Sequence, residues 1–290
     1  MNRPFSFCFA AAAFLFAAFT SASADTFFAA DGYQLRLFTS PTTSLLYGTV
    51  GAGGDFGFGM AVDPSGNVYV SDDQNGLVLK YTGPNTYTVF ASGLAKPEGL
   101  AFDHSGNLFV VENGPSYVGR LLKFSAPNTY TIMGTGLGSP YGLALDSAGN
   151  VYVAEYGAGN IRRFTAPNTS TIYASGMSPS NLTIDTSDNV WVTDYNGYAI
   201  RRFTAPGVST VYGTTIGLPT AVAIESDGQI LALDFQGYLY DFTAPNTSTI
   251  ENTVFNVPRA IAVVPAPEPS AAWLLALGAG GVLGRWRHRR

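Results

Sequence analysis

Cysteine and histidine are nearly missing from this sequence. Its 290 residues contain one cysteine, Cys8, and two histidines. Cys8 lies in an N-terminal apolar segment that we expect to be removed, so the remaining chain offers no disulfide, no Cys-ligated metal and no thiol nucleophile. Charged residues, at 12%, are also scarce, whereas Gly, Thr, Ser, Tyr and Val are abundant. This mixture favours many short strands and turns over long helices.

Positive charge is scarce in the body of the chain. Residues 25–264 contain 10 Lys and Arg against 19 Asp and Glu, a net charge of −9, and the other basic residues lie at the two ends. An acidic body argues against nucleic acid as a partner. It is compatible with cation binding or simply with solubility.

The N-terminal end has the sequence pattern of an export signal. Residues 1–24 combine Arg3, an apolar run and the small-residue site Ala22-Ser23-Ala24. This pattern predicts a secretory signal peptide cleaved before Asp25. A membrane anchor is the alternative, although the apolar run is short for one.

The C-terminal tail, residues 265–290, has three parts in order. They are the motif Pro267-Glu268-Pro269, an uncharged apolar stretch at 271–284 that is predicted to be a helix, and an Arg-rich end at 285–290. The tail resembles the PEP-CTERM sorting signal of Gram-negative bacteria. The resemblance implies an exosortase-type transpeptidase as a partner, membrane attachment through the helix before processing, and delivery to the cell surface or the extracellular matrix. An ordinary C-terminal anchor is the alternative, and it also places the body outside the cytoplasm.

A unit of about 40 residues recurs through residues 25–264. Its first piece, Gly-hydrophobic-Ala-hydrophobic-Asp or a relative, begins at residues 59, 99, 142, 181, 221 and 260. Each copy continues with a Gly/Asn turn, a β-branched and aromatic strand that ends in an acid, a third strand, and a fourth strand that often follows a Pro-Asn turn. One such meander cannot bury both of its apolar faces, so the period predicts stacked β-propeller blades.

The strand count predicts how the ring closes. The chain begins at the second strand of a unit, at Thr26, and ends at a first strand, residues 259–264. We therefore predict an all-β, six-bladed β-propeller of four-stranded antiparallel blades. The C-terminal strand 259–264 completes the N-terminal blade and leaves no unpaired edge in the ring.

The unit resembles the NHL repeat. Residues 140–146 (PYGLALD), 149–155 (GNVYVAE) and 161–164 (IRRF) match its three characteristic segments, and the likeness extends over residues 26–264. The chain is also similar at fold level to the SMP-30/gluconolactonase group and to the streptogramin lyases. The resemblance implies a ligand site at the mouth of the central channel, but the fold does not determine the function.

The resemblance implies that the side chain just before each inner strand points into the mouth of the channel. These ligand-binding candidates are Phe58, Glu98, Tyr141, Ser180, Thr220 and Arg259. The lactonase-like group holds a divalent cation with acids and an Asn at such positions. One carboxylate with an arginine in the same ring suits a cation poorly, so we predict no cofactor and no metal ligands. An aromatic and charged mouth can bind a sugar or a peptide, and a plugged channel is the alternative.

Catalytic groups are sparse in the body of the chain. His104 lies in the turn 103–107, at the wrong end for the base of a lyase. Acids end the second strand of every unit, which favours a structural role in accepting backbone N–H groups of the following loop. These acids are Asp31, Asp72, Glu112, Glu155, Asp194 and Asp234. No catalytic residue is predicted, and a non-enzyme is favoured.

These observations leave several functions open. The favoured one is a secreted, surface-sorted propeller that acts as a binding or extracellular-matrix protein associated with exopolysaccharide, with a polysaccharide, a peptide or a small molecule at the mouth. The alternative is an extracellular lactonase- or lyase-like enzyme that uses the same mouth. A purely structural role in an extracellular polymer is the third.

Overall fold

The computed structural model describes residues 26–40, 43–49, 56–214, 216–252, 255 and 258–264. Regular structure in these ranges consists of β-strands and one turn of 3-10 helix at Pro115–Tyr117. Within the same ranges no helix is long and apolar enough to cross a membrane. The predicted signal peptide, 1–24, and the predicted sorting tail, 265–290, lie outside the described residues.

The strands form six antiparallel sheets of four, which confirms the predicted six-bladed propeller. We number the blades 1 to 6 in chain order. Blade 1 consists of β1 (Thr26–Asp31), β2 (Gln34–Ser40), β3 (Thr43–Thr49) and β24 (Pro258–Val264). Blade 2 consists of β4 (Phe56–Val62), β5 (Val68–Asp72), β6 (Leu77–Gly83) and β7 (Thr86–Ala91). Blade 3 consists of β8 (Pro97–Phe102), β9 (Leu108–Glu112), β10 (Val118–Ala126) and β11 (Thr129–Gly138).

The remaining three blades repeat the same order of strands. Blade 4 consists of β12 (Pro140–Leu145), β13 (Val151–Glu155), β14 (Asn160–Ala166) and β15 (Thr169–Ser175). Blade 5 consists of β16 (Pro179–Ile184), β17 (Val190–Asp194), β18 (Ala199–Ala205) and β19 (Val208–Gly213). Blade 6 consists of β20 (Pro219–Ile224), β21 (Ile230–Asp234), β22 (Leu239–Ala244) and β23 (Thr247–Asn252).

The ring closes at blade 1, as the strand count predicts. The C-terminal strand β24 pairs antiparallel with β1, and Thr26 lies opposite Val264. β24 also contacts the inner strands β20 and β4 on either side. The first and last described strands therefore join non-covalently, and the inner strands form a continuous circle around the axis.

The small residues of the inner strands have a steric cause. A Cβ added at Gly142 would lie 2.7 Å from the Cα of Asn181 in the next inner strand, and one added at Gly99 would collide with the carbonyl oxygen of Tyr141. Neighbouring inner strands thus approach backbone to backbone near the axis. The inner strands therefore require Gly and Ala at these positions, which explains their recurrence in the sequence.

The hydrophobic core is divided among the interfaces between blades. Phe28 and Tyr81 pack between blades 1 and 2, whereas Phe27, Phe38 and Leu233 pack between blades 1 and 6. Both faces of blade 1 are therefore buried, which is possible only because alternate side chains of a strand point to opposite faces. The other four interfaces hold similar clusters.

Candidate functional site

Two sets of loops form one end of the ring, which we call the mouth. One set enters the inner strands, and the other joins the second strand of a blade to its third. The two sets are tied together in four blades by a backbone N–H that donates to a carbonyl oxygen. The pairs are Asn113 to Lys96 (2.9 Å), Tyr156 to Ser139 (3.1 Å), Tyr195 to Ser178 (2.8 Å) and Phe235 to Leu218 (2.8 Å). In these four blades the residue after the strand-end acid is therefore fixed beside the entrance to an inner strand.

A proline and a β-bulge place the predicted mouth residues. β8 begins at Pro97, and its pairing with β9 shifts register between Pro97 and Leu100, so Glu98 lies inside the bulge. The same shift follows Pro140 in blade 4, where it contains Tyr141. Proline lacks the N–H that a ladder needs, and a bulge turns a side chain away from the regular alternation.

Three of the six predicted residues meet in one cavity. Glu98, Tyr141 and Arg259 line a pocket of about 570 Å³ together with Asp73 and Asn113. Arg259 comes from the closing strand β24, and its Nη1 lies 3.8 Å from Oδ2 of Asp73 in the loop after β5. Ring closure therefore completes the pocket, because its guanidinium arrives on the last strand.

The other three predicted residues are placed differently. Ser180 is buried, and its hydroxyl donates to the carbonyl oxygen of Pro219 at 2.8 Å. Thr220 is buried as well, and its hydroxyl donates to the carbonyl oxygen of Leu233 at 3.3 Å. Both side chains tie strands together, and neither lines the pocket with Glu98. The side chain of Phe58 lies outside the described residues.

Two carboxylates, the guanidinium of Arg259, the ammonium group of Lys96 and one amide give the pocket its electrostatic character. Glu98, Asp73 and Asn113 are buried, with 4%, 8% and 5% of their surface exposed. The Oδ1 of Asn113 accepts no hydrogen bond from the described residues, so it is an acceptor that a water or a ligand must satisfy. Burial, followed by the nearby charge of Glu98, raises the pKa of Tyr141. Tyr141 therefore keeps its proton at neutral pH and can donate a hydrogen bond.

Sequence reasoning missed Asp73 and Asn113. Both follow a strand-end acid directly. In blades 2 to 6 the residue at this position varies among Asp, Asn, Tyr and Phe, whereas the preceding position is always Asp or Glu. The equivalent positions are Asp73, Asn113, Tyr156, Tyr195 and Phe235. Variation at a fixed point of a repeat was the available signal, since the shared residues build the framework.

The strand-end acids serve the framework, although only some act on the loop that follows them. Asp72 and Asp234 accept backbone N–H groups of the following loop, from Asn75 at 3.0 Å and from Tyr238 at 3.0 Å. The acids of blades 3 to 5 bind instead the backbone just before their own inner strand. Their donors are Ala95 to Glu112 (3.0 Å), Gly138 to Glu155 (2.9 Å) and Ser178 to Asp194 (2.9 Å). These three acids also pair with Arg120, Arg162 and Arg201 respectively, while the side chain of Asp31 lies outside the described residues.

Other chemical groups lie away from the pocket. His104 is exposed in the turn between β8 and β9, at the end of the ring opposite the mouth. Among the described residues no three His, Cys, Asp or Glu side chains cluster as a metal site. The central channel holds a smaller cavity of about 330 Å³, lined mainly by Gly, Ala and other apolar residues of the inner strands.

Comparison with known proteins supports the fold. No protein-family model matches the chain, and no curated protein sequence matches it. Among solved structures, it is similar to a catalytically inactive His-to-Ala variant of virginiamycin B lyase from Staphylococcus aureus with quinupristin (19% identity, TM-score 0.58, covering 71% of this chain and 73% of that one). It is also similar to a streptogramin B lyase (18% identity, TM-score 0.56, covering 85% and 75%). A protein of unknown function from Bacteroides caccae aligns at 11% identity and a TM-score of 0.61, covering 82% and 98%. At these identities the likeness shows the propeller fold alone.

Proposed function

We propose that the chain is an exported propeller that binds a polyhydroxylated ligand, such as a sugar, in the mouth pocket. The observation that carries the proposal is the meeting of Glu98, Asp73, Asn113 and Arg259 with Tyr141 in one cavity of about 570 Å³. Recessed polar groups beside an aromatic face are the usual make-up of a small-molecule site. The export part of the proposal is supported only by the sequence patterns of a signal peptide at 1–24 and of a PEP-CTERM-like tail at 265–290. It includes an exosortase-type enzyme as the processing partner and the surface of a Gram-negative cell as the destination.

Charge balance favours a ligand without net charge. The pocket contains the carboxylates of Asp73 and Glu98, the guanidinium of Arg259 and the exposed ammonium group of Lys96. Two negative and two positive groups provide directional donors and acceptors without a strong net field. Vicinal hydroxyl groups suit such planar carboxylate, amide and guanidinium groups, and the apolar face of a sugar ring suits Tyr141.

Binding of neutral oligosaccharides by the protein and its Glu98→Gln variant tests the proposal. A hydrogen bond to a charged group contributes about 1.5–3 kcal/mol, so we expect Glu98→Gln to weaken binding by about 10- to 100-fold in isothermal titration calorimetry. Asp227→Asn is the matched control, because this acid is exposed in a turn at the opposite end of the ring. The proposal is wrong if no neutral sugar binds, or if the two variants bind equally well.

A second candidate is acid–base catalysis at the same pocket, favoured by the buried Glu98 beside Tyr141 and by the likeness to the lyases. The inactive variant of the solved lyase lacks a histidine, whereas His104, the one histidine among the described residues, is remote from this pocket. A base would therefore have to be a carboxylate, Glu98 or Asp73, because Tyr141 keeps its proton. Incubation with quinupristin, followed by chromatographic separation and fragment-ion mass spectrometry, tests this candidate, because ring opening by elimination leaves the mass unchanged. A product made by the protein but lost with Glu98→Gln or Asp73→Asn supports catalysis, and an unchanged compound refutes it for this ligand.

A further inference from the structure

Five tyrosines extend from the pocket over blades 3 to 5, and we call them the tyrosine arc: Tyr117, Tyr141, Tyr156, Tyr195 and Tyr198. Tyr117 and Tyr141 line the pocket itself. The ring of Tyr156 lies 5.4 Å from that of Tyr141, and the ring of Tyr195 lies 6.1 Å from that of Tyr156. Tyr198 lies in the same turn as Tyr195, because its backbone N–H donates to the carbonyl oxygen of Tyr195 at 3.4 Å. Burial, followed by the phenols of Tyr156 and Tyr198, raises the pKa of Tyr195. The arc thus leads from the pocket through Tyr156 to the turn of blade 5.

The two ends of the arc adopt backbone conformations that tyrosine rarely takes. Tyr117 and Tyr198 have φ values of 61° and 52°. The position of Tyr198 in its loop is occupied by Gly76 in blade 2 and by Gly159 in blade 4, with φ values of 66° and 67°. Glycine adopts this region without steric cost, whereas a bulky residue does not. Backbone strain of this kind is concentrated at functional sites, where the function of the side chain explains why the strained conformation is kept.

The rings remain accessible and uncharged. Tyr117 and Tyr198 are 69% and 54% exposed. The raised pKa values of Tyr141 and Tyr195 keep both phenols protonated. Arg162 and Arg201 of blades 4 and 5 pair with strand-end acids. Arg259, which lines the pocket with Tyr141, lies 3.8 Å from Asp73, so acids offset all three guanidinium charges. The arc therefore suits a neutral ligand better than a nucleic acid or another polyanion.

We infer that the tyrosine arc is a row of stacking subsites for a linear, neutral glycan whose end sits in the mouth pocket. The inference rests on the proposed function and adds that the ligand is a chain. The rings of Tyr141, Tyr156 and Tyr195 are about one sugar apart, so each can stack on a pyranose face. The phenol hydroxyls and the amide of Asn196, which donates to the hydroxyl of Tyr156 at 3.4 Å, bind sugar hydroxyls. The planes of Tyr141 and Tyr156 differ by 48° and those of Tyr156 and Tyr195 by 79°, so the glycan must turn from one sugar to the next.

The test is calorimetric titration of the protein with neutral oligosaccharides of one to six sugars. We expect affinity to rise at least tenfold from the shortest to the longest ligand that binds. Tyr195→Ala and Tyr198→Gly should each weaken binding of the longest ligand about 3- to 10-fold, because one stacking contact is lost. Both variants should leave binding of the shortest ligand unchanged. Tyr198→Gly should also melt no lower than the parent protein, since glycine occupies the same position in blades 2 and 4.

Tyr33→Ala is the matched control, because Tyr33 is exposed in the corresponding loop of blade 1 and lies outside the arc. An equal loss with Tyr33→Ala would refute the assignment of the arc. If affinity does not depend on the number of sugars, but Glu98→Gln still weakens binding, the ligand is not an extended glycan. The proposed binding of a sugar in the mouth pocket would then remain supported. Failure of every oligosaccharide to bind would overturn both proposals, and binding of an aromatic peptide along the arc instead would refute the glycan.

Discussion

The pairing of the two ends of the described body suggests a gain of stability by covalent closure. Thr26 lies opposite Val264 in β1 and β24, as Val68 lies opposite Val62 in blade 2. In blade 2 the two strands are joined by residues 63–67, a turn in which Oδ1 of Asp63 accepts the N–H groups of Ser65 and Asn67, both at 2.9 Å. The same five residues inserted between Val264 and Thr26 would therefore make a cyclic body without moving the strands.

The expected size of the effect follows from chain entropy. A closed loop of about 240 residues removes about 5 kcal/mol of conformational free energy from the unfolded state, and measured effects of cross-links are often smaller, about 2–5 kcal/mol. Each kcal/mol corresponds to about 2–4 °C in melting temperature for a domain of this size. The native contacts of β24 are unchanged, so the gain arises from the unfolded chain.

Urea and thermal unfolding of cyclic and linear bodies of identical composition measure this gain. The linear control carries the five turn residues after Val264, which separates closure from the added sequence. An increase of about 2–5 kcal/mol supports the observed pairing of β24 with β1. A cyclic protein that is less stable than the linear one, or that loses cooperative unfolding, would show that the ends do not meet as described.

Two further predictions concern buried polar groups. Glu155 accepts hydrogen bonds from the N–H of Gly138 and from Nε of Arg162, both at 2.9 Å. Glu155→Gln should therefore lower the free energy of unfolding, measured in urea, by about 1–3 kcal/mol. Unchanged stability would contradict the structural role of the strand-end acids. Burial and the hydrogen bond to Asp234 raise the pKa of Tyr240 to about 12. An unfolded tyrosine titrates near pH 10, so the unfolded chain releases a proton that the folded chain keeps, and stability should fall as pH rises from about 10 to 12. Tyr240→Phe should reduce this dependence in urea titrations at pH 8 to 11.5, and an unaltered slope would contradict the assignment.

Much of the fold was predictable because the same local pattern is written six times. The strand ends at Asp72, Glu155 and Asp194, the glycine turns and the small inner residues each have a cause that acts within one blade or between neighbours. The site was predictable only in part. Glu98, Tyr141 and Arg259 do meet, but Ser180 occupies an equivalent position and points its hydroxyl to Pro219 in the next inner strand.

The sequence by itself determined the period, the strand order and the closing strand, because hydrophobic alternation and turn residues are local properties of the chain. Only the tertiary structure decided which mouth residues share a pocket. Arg259 reaches Asp73 across 186 positions of sequence, through the contact between β24 and blade 2. The tyrosine arc likewise depends on how three blades present their loops side by side. These contacts between residues distant in sequence depend on the angle between stacked sheets and on the positions at which bulges turn the side chains. Neither can be predicted from the sequence of one repeat.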